Sequence, residues 1–432
     1  LRGYMGGYYI WTIGCQMNVA DSERLGGQLE GLGYQPVSAP EAADIVVLNS
    51  CVVRQHAEDR VVNKLASLRA LKKARPDTII GLMGCMVGAK PQEFQRRFPH
   101  VDVFMRPQQF DAILTLVEER APLSSCQEPG PAVPPVSGPT AFVPIIHGCD
   151  HFCTFCIVPY RRGRERSRPV DELEAEVSAL VNRGIREVTL LGQKVDSYGH
   201  DLAEQPDLAD LLHRLNDIPG LERIRFLTSF PMGITDKIIS AVADLEKVCE
   251  HFNIPFQSGD DDVLRAMRRG YTVDDYRRVV DRIRSGIPEV SLSTDVIVGF
   301  PGETDEQFEG TCRLLQDTEF DVVHVAAYSD RPGTIASRTQ PDDVAGETKK
   351  ARLKRVEEIQ EAIADKLNAD LVGREVEVLV ESRKKGKWEG RTRANKLVFF
   401  DEGVSDLRGE LAWVHIDSAS PWSLQGSLIA VV

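Results

Sequence analysis

Long apolar runs are what this chain most lacks. The clearest apolar run without a charged residue, 78–89, has 12 residues and contains glycines, well short of the ~20 that a helix needs to cross a bilayer. No membrane association is expected. Cysteine is also scarce, nine in 432 residues, too thin for a disulfide scaffold, and nothing at the amino terminus reads as a secretory signal. A soluble, cytoplasmic, monomeric protein in a reducing compartment is the expectation. An overall excess of positive charge is missing too: 52 Lys and Arg stand against 65 Asp and Glu, a formal net charge of −13. Any polyanionic partner must therefore be met by local patches rather than by the whole surface. With 42% hydrophobic residues, the length suits two to four ordinary domains.

The few cysteines are placed with order. Cys149, Cys153 and Cys156 stand in C-x3-C-x2-C spacing directly after the apolar run 141–146. Three thiolates on one tight loop can hold three corners of an iron–sulfur cube and leave the fourth iron open. A zinc site completed by His151 is the competing reading, although structural zinc favours paired cysteines repeated at a distance. Cys15, Cys51 and Cys85 each lie just past an apolar run that reads as a strand. One such cysteine is most simply a buried core residue, but three in equivalent loops suggest a shared metal site. Cys126, Cys249 and Cys312 lack ligand spacing and receive no role.

Residues 1–120 alternate between strand patterns (8–13, 44–49, 78–83, 101–105) and helix patterns (20–32, 57–74, 91–98, 109–119). Such alternation implies a doubly wound parallel α/β domain. Residues 121–139, rich in Pro, Gly and Ser, read as a linker. Six further strand–helix repeats fill 140–367, with strands at 142–147, 187–191, 223–228, 252–255, 290–298 and 322–327, and suggest a partial (β/α)6 TIM-like barrel with its active face at the carboxyl ends of the strands. At those ends stand Gln193, Ser229, Gln257 and Asp295, any of which an ordinary loop could also carry. Residues 368–432 change to short β-rich runs and suggest a small all-β barrel.

Two basic clusters interrupt the acidic background. Residues 161–168 hold five arginines and one glutamate, including Arg161, Arg162, Arg164 and Arg166. Residues 383–396 hold Arg383, Lys384, Lys385, Lys387, Arg391, Arg393 and Lys396 against one acid, with Trp388 among them. Phosphate-binding charge beside an aromatic suits RNA; a merely solvated face is the plain alternative.

These motifs resemble a known family. The cysteine loop, with Phe155 before its last cysteine, is similar to that of the radical S-adenosylmethionine (SAM) enzymes, which implies a [4Fe–4S] cluster on Cys149, Cys153 and Cys156 whose open iron chelates SAM. The segment Thr12-Ile13-Gly14-Cys15-Gln16-Met17-Asn18, with Asn49-Ser50-Cys51 and Gly84-Cys85-Met86, resembles the methylthiotransferases and within them the MiaB-type branch. The resemblance implies an auxiliary [4Fe–4S] cluster on Cys15, Cys51 and Cys85, and SAM contacts from Phe155, Gln193, Ser229, Gln257 and Asp295. Gly390-Arg391-Thr392-Arg393-Ala394-Asn395-Lys396 is similar to a stretch of the TRAM domain, an RNA-binding module.

The activity implied is radical methylthiolation of C2 of N6-isopentenyladenosine at position 37 of tRNA, consuming two SAM. The anticodon stem-loop would be the partner, with a flavodoxin or ferredoxin as electron donor and no catalytic side chain beyond the cluster ligands. Related substrates within the family are threonylcarbamoyladenosine in tRNA and an aspartate of a ribosomal protein. A non-catalytic, metal-stabilised RNA-binding protein is the reading of another class. Lys194, Asp196 and Phe230 depart from the family's usual asparagines and histidine.

Overall fold

The computed structural model describes residues 6–52, 55–88, 92–120, 138–401 and 406–432. Cys126 and most of the expected linker lie outside them. By internal packing the chain divides into two compact units. The first joins the N-terminal α/β part to His147–His151 and Ile157–Glu165; the second takes Phe152–Cys156 and Arg166–Val432 with the strand before the cysteine loop. Among the described residues no helix is long and apolar enough to cross a membrane.

The first unit is built on a five-stranded sheet in the order Tyr34–Pro36, Gly6–Ile13, Ile45–Ser50, Ile79–Gly84, Val103–Met105, every pair parallel. Alternate side chains explain why it is covered on both faces. Val46, Leu48, Ile80 and Leu82 pack with Val61, Leu65 and Leu68 of helix Gln55–Ala74. Ile45, Val47, Ile79 and Met83 pack on the other side with Leu25 and Leu29 of helix Gln16–Gly31 and with Ile113 and Val117 of helix Asp111–Arg120. Period-2 side chains that are apolar in both phases make a strand that must be buried twice. The apolar period predicts a first helix from residue 20, whereas it starts at Gln16. Asn18, Asp21 and Ser22 are buried polar residues, so the apolar period does not announce the first turn. The edge strand Tyr34–Pro36 was also missed, being three residues long and ending in proline.

The second unit carries two three-stranded parallel sheets. Thr140–Pro144, Glu187–Leu191 and Arg223–Phe226 form one; His251–Asn253, Ser291–Val298 and Val322–Ala327 form the other. The Ser229 amide donates to the Asn253 carbonyl at 2.9 Å where third and fourth strands meet, continuing the six in chain order as the partial (β/α)6 arrangement expected. Capping boxes at Asp207/Asp210, Thr272/Asp275 and Thr304/Gln307 start three of the intervening helices.

Helix Gly346–Ala369 leads into a closed five-stranded barrel, Glu375–Lys384, Lys387–Thr392, Leu397–Asp401, Ser423–Val431 and Leu411–Ser420 in spatial order. Its interior is Val378, Val380, Trp388, Val398, Phe400, Val414, Ile416 and Leu424. Strand Lys387–Thr392 went unread, because its charges hide the alternation that the barrel interior imposes.

Candidate metal centres

Chain order and register together bring the N-terminal cysteines to one edge. In the sheet order observed, strand Gly6–Ile13 lies between the second and third strands, a switch point at which open α/β sheets form a crevice past the carboxyl ends. Ile13 is level with Ser50, and Ser50 with Gly84, so Cys15, Cys51 and Cys85 leave three adjacent strands at nearly the same height. Gly84 has φ +101°, and a β-carbon there would sit 2.4 Å from the Ser50 carbonyl oxygen; only glycine lets the loop turn this close to its neighbour.

Polar side chains behind the loops fix them. Asn18 Nδ2 donates to Asn49 Oδ1 at 2.9 Å and to the Ser50 carbonyl at 3.1 Å, while Asn49 Nδ2 donates to the Asn18 carbonyl and to Ser22 Oγ. The Cys15 thiol donates to Asn18 Oδ1 at 3.3 Å. Cys51 and Cys85 are each 5% exposed. Burial pushes the Cys85 thiol up to about 11, with Arg162 opposing and the charges of Cys51 and Cys15 adding to the rise. Two buried thiols and the exposed Cys15, which would repel one another as thiolates, are a donor set that a cation stabilises, and in this respect they fit an iron–sulfur cluster.

Arg162, expected on an RNA-facing surface, is instead beside this site. Its side chain is 2% exposed and forms an ion pair at 3.1 Å with Asp21, itself 1% exposed. The guanidinium is buried because it neutralises a carboxylate on the helix that Cys15 caps.

The second cysteine set is divided between the units. In the first, the Cys149 amide donates to the Gly163 carbonyl at 3.1 Å, and the His151 amide donates to Cys149 Sγ at 3.4 Å. Gly148 has φ +74°, and a β-carbon there would meet the Arg164 carbonyl oxygen at 2.1 Å. In the second unit Thr154 braces the loop. Its amide donates to the Met267 carbonyl at 3.0 Å, its hydroxyl to the Ala266 carbonyl at 2.9 Å, and its own carbonyl accepts from the Ala336 amide. Phe155 packs beside Val263, Met267, Phe300, Tyr328 and Ala336. Arg269, two residues beyond Met267, donates Nη1 to Cys153 Sγ at 3.3 Å. Sequence reasoning missed both Thr154 and Arg269, since nothing in spacing separates Arg269 from its exposed neighbour Arg268.

Of the polar residues expected at the strand ends, Gln193, Ser229 and Gln257 follow strands Glu187–Leu191, Arg223–Phe226 and His251–Asn253, whereas Asp295 lies within strand Ser291–Val298. Thr228 and Gln257 have φ of +68° and +71°, strained values of the kind held at ligand sites. Ser229 Oγ and Ser258 Oγ are buried without a hydrogen-bond partner, which suits a missing polar ligand. Asp295 lies beside Asn253, whose Nδ2 donates to it at 3.4 Å, and burial raises its carboxyl above the usual range. Lys194, Asp196 and Phe230 form one contact group. Lys194 Nζ stands 5.0 Å from the Phe230 ring centroid and 3.8 Å from Asp196, and Asp196 Oδ1 accepts from the Phe230 amide at 2.6 Å.

The carboxyl-terminal basic cluster splits in two. Arg383, Lys384 and Lys385 are exposed at a hairpin tip. Arg393 is not free for RNA: it grips Glu250 at 2.7 Å and the carbonyls of Glu246 and Val248. Lys396 pairs with Asp321 at 2.7 Å, and Arg391 turns to Glu381 and the Asn395 carbonyl. Two buried arginines of the third barrel strand reciprocate, Arg223 donating to the Arg391 carbonyl and Arg225 to those of Thr392 and Arg393. Most of the GRTR-like stretch is therefore a clamp on the central barrel. Trp388, expected to stack on bases, is 3% exposed in the small barrel's core.

Comparisons with known proteins agree with this layout. Family models match the radical SAM superfamily over residues 143–315, uncharacterized protein family UPF0004 over 7–106 and the TRAM domain over 370–429. The tRNA-2-methylthio-N(6)-dimethylallyladenosine synthase of Roseiflexus sp. (strain RS-1) is 53% identical over 98% of this chain and 89% of its own length. The enzymes of that name from Dehalococcoides mccartyi (strain 195) and Thermoanaerobacter pseudethanolicus are 51% and 43% identical, covering 99% and 98% of this chain and 100% and 93% of theirs. Among solved structures, the radical SAM methyltransferase TsrM from Kitasatospora setae, with cobalamin and a [4Fe–4S] cluster bound, superposes with a TM-score of 0.58 at 14% identity over 77% of this chain and 74% of its own. That likeness concerns the fold.

Proposed function

Because the chain belongs to the family of tRNA-2-methylthio-N(6)-dimethylallyladenosine synthases, radical SAM enzymes that use a [4Fe–4S] cluster, we propose that it carries two such clusters with separate tasks. Cys149, Cys153 and Cys156 hold the one that binds SAM; Cys15, Cys51 and Cys85 hold the auxiliary one. When bound, the first would supply an electron for reductive cleavage of SAM, and the second would supply sulfur. Carbon 2 of N6-isopentenyladenosine at position 37 of tRNA is the acceptor, a centre that no protein base could deprotonate. That nucleotide lies in a single-stranded loop and can be splayed into a pocket.

The chain's own residues bind and orient. Phe155, Gln193, Ser229, Gln257 and Asp295 surround SAM, with the orphaned Ser229 hydroxyl as a direct polar contact. The exposed hairpin tip, Arg383, Lys384 and Lys385, with the half-buried Lys387 beside it, and the exposed Arg164 and Arg166 take the tRNA backbone; Arg161, expected beside them, instead lies half-buried with its guanidinium against Gly88. The protein acts as a cytoplasmic monomer and receives electrons from a flavodoxin or ferredoxin.

The observation that supports the two-cluster reading best is the register that levels Cys15, Cys51 and Cys85 at the switch point of the N-terminal sheet. The test is mass spectrometry of nucleosides from isopentenylated tRNA incubated with anaerobically reconstituted protein, SAM and reductant. The 2-methylthio product is expected, and is lost in both Cys149→Ala and Cys51→Ala; only Cys51→Ala keeps cleaving SAM. Product formation by Cys51→Ala would sink the auxiliary cluster.

A further inference from the structure

Arg269 is buried in the second unit with no carboxylate in hand. It donates Nη1 to Cys153 Sγ at 3.3 Å, Nη2 to the Pro255 carbonyl at 2.9 Å and Nε to Tyr271 Oη at 3.1 Å. Among the described residues it forms no ion pair. The ring of Phe230 lies 5.0 Å from the guanidinium carbon and that of Tyr271 5.4 Å, and the residue is 7% exposed.

Each feature points the same way. A guanidinium cannot lose its proton in a protein, so the charge persists despite burial. A fixed charge in low dielectric costs stability unless something nearby gains from it. The carbonyl, phenol and aromatic faces hold the planar fork from every side yet none carries charge. Of its hydrogen-bond partners, the one that would be an anion in the working protein is the sulfur of Cys153, once it ligates iron; the Asp295 carboxyl feels the same charge without bonding to it. Thr154 ties the same loop to Ala266 and Met267, so the distance from sulfur to guanidinium is fixed from both sides.

We infer that Arg269 is a positioning residue that hydrogen-bonds the ligating sulfur of Cys153 and raises the reduction potential of the SAM-binding cluster. This rests on the reading that Cys149, Cys153 and Cys156 hold a cluster. Hydrogen bonds to ligand sulfur and nearby positive charge both favour the more electron-rich state. Reduction adds one electron from a low-potential donor and no proton, and Arg269 keeps its own proton throughout. The residue does not touch the base to be modified. Its effect reaches the reaction through the ease of reducing the cluster.

The test uses the full chain with Cys15, Cys51 and Cys85 changed to Ala, reconstituted anaerobically, so that one cluster is read. Iron and sulfide are counted first, then the potential is measured by dithionite titration followed by electron paramagnetic resonance. Arg269→Gln should shift the reduction equilibrium at least tenfold toward the oxidised state, about 59 mV for one electron, at unchanged iron content. Arg269→Lys, which keeps charge but not the fork, should fall between. Equal iron with an unchanged potential in Arg269→Gln overturns the inference. Absence of iron in the parent with Arg269 intact overturns the cluster reading instead. If Arg269→Gln does not hold iron, Tyr271→Phe decides: it frees Nε alone, and should lower the potential by a smaller amount with the same sign. No change in either Tyr271→Phe or Arg269→Lys then rejects the inference.

Discussion

Each cysteine set has a buried arginine beside it, and the two arginines are treated in opposite ways. Arg162, near Cys85 and Cys15, is neutralised by Asp21 at 3.1 Å with both side chains almost fully enclosed. Arg269, at Cys153, is held by a carbonyl, a phenol and two aromatic faces and forms no ion pair among the described residues. The first adds no net charge to its surroundings; the second adds a full one. Net charge and hydrogen bonds to sulfur are among the main settings of an iron–sulfur potential. On the proposed reading of the two sites, the same residue type leaves one without added charge and makes the other easier to reduce.

That contrast has a large consequence for stability. Asp21→Asn strands the Arg162 charge without a partner, at a cost of about 3–5 kcal/mol. The double variant Asp21→Leu with Arg162→Met should recover most of it. Denaturant unfolding of all three proteins reads the difference, and a double variant as unstable as the single one would break the argument. Arg269→Gln removes a charge and orphans no carboxylate, so in the same experiment it should cost less than half as much as Asp21→Asn.

A second contrast, of moderate size, divides the carboxyl-terminal cluster. Arg393→Ala loses the Glu250 pair and two carbonyl contacts, and should cost roughly 1–3 kcal/mol. Changing Arg383 and Lys385 together to Ala, with Lys384 left in its 2.7 Å pair with the nearly buried Glu389, should stay within about 0.5 kcal/mol of the parent while raising the KM for tRNA. Its salt dependence should flatten by about 0.9 in log–log slope per lost phosphate contact. A thermal melt beside a tRNA titration separates the two; a clamp residue that altered KM alone would reverse the assignment.

This split marks where sequence stopped being legible. Cysteine position was readable because both spacing and strand ends are periodic features, and apolar alternation carried the two α/β parts. The seven basic residues at 383–396 gave only a charge, and charge does not say whether its partner is a phosphate or a carboxylate such as Glu250, 143 positions away. Trp388 was misjudged for a related reason. Its strand is charged on the outside, so the inward phase looked like a loop. Arg162 reads as an RNA contact and Arg269 as an ordinary surface arginine from sequence, because burial of an arginine depends on what the fold brings to it.

A smaller effect concerns acid. Burial, aided by Arg225, holds His251 down at about 3, against an ordinary 6.5. Between these values the unfolded chain takes up a proton that the folded one refuses, so stability falls as pH drops from 6.5 toward 3. The loss between pH 7 and 5 is about 2 kcal/mol, at about 1.4 kcal/mol per unit of pH within the window. His251→Gln should remove that component from the pH dependence of Tm. An unchanged pH profile would mean the imidazole is protonated in place.

The finest test addresses the departures at Lys194, Asp196 and Phe230. They are one physical unit: the Phe230 ring faces both Lys194 and Arg269, each at 5.0 Å, while Asp196 receives the Phe230 amide and stands near Lys194. An ammonium over an aromatic face contributes about 0.5–1 kcal/mol where water still reaches it, and the Lys194 side chain is 19% exposed. Lys194→Ala and Phe230→Leu should therefore couple by about that amount in a double-mutant cycle, both in stability and in SAM affinity. Phe230→Leu also removes one wall from Arg269, so it should move the cluster potential slightly in the direction of Arg269→Gln, whereas Lys194→Ala should not. Additive effects of the two changes, with no shift in potential, would mean that the three departures are neighbours without being partners.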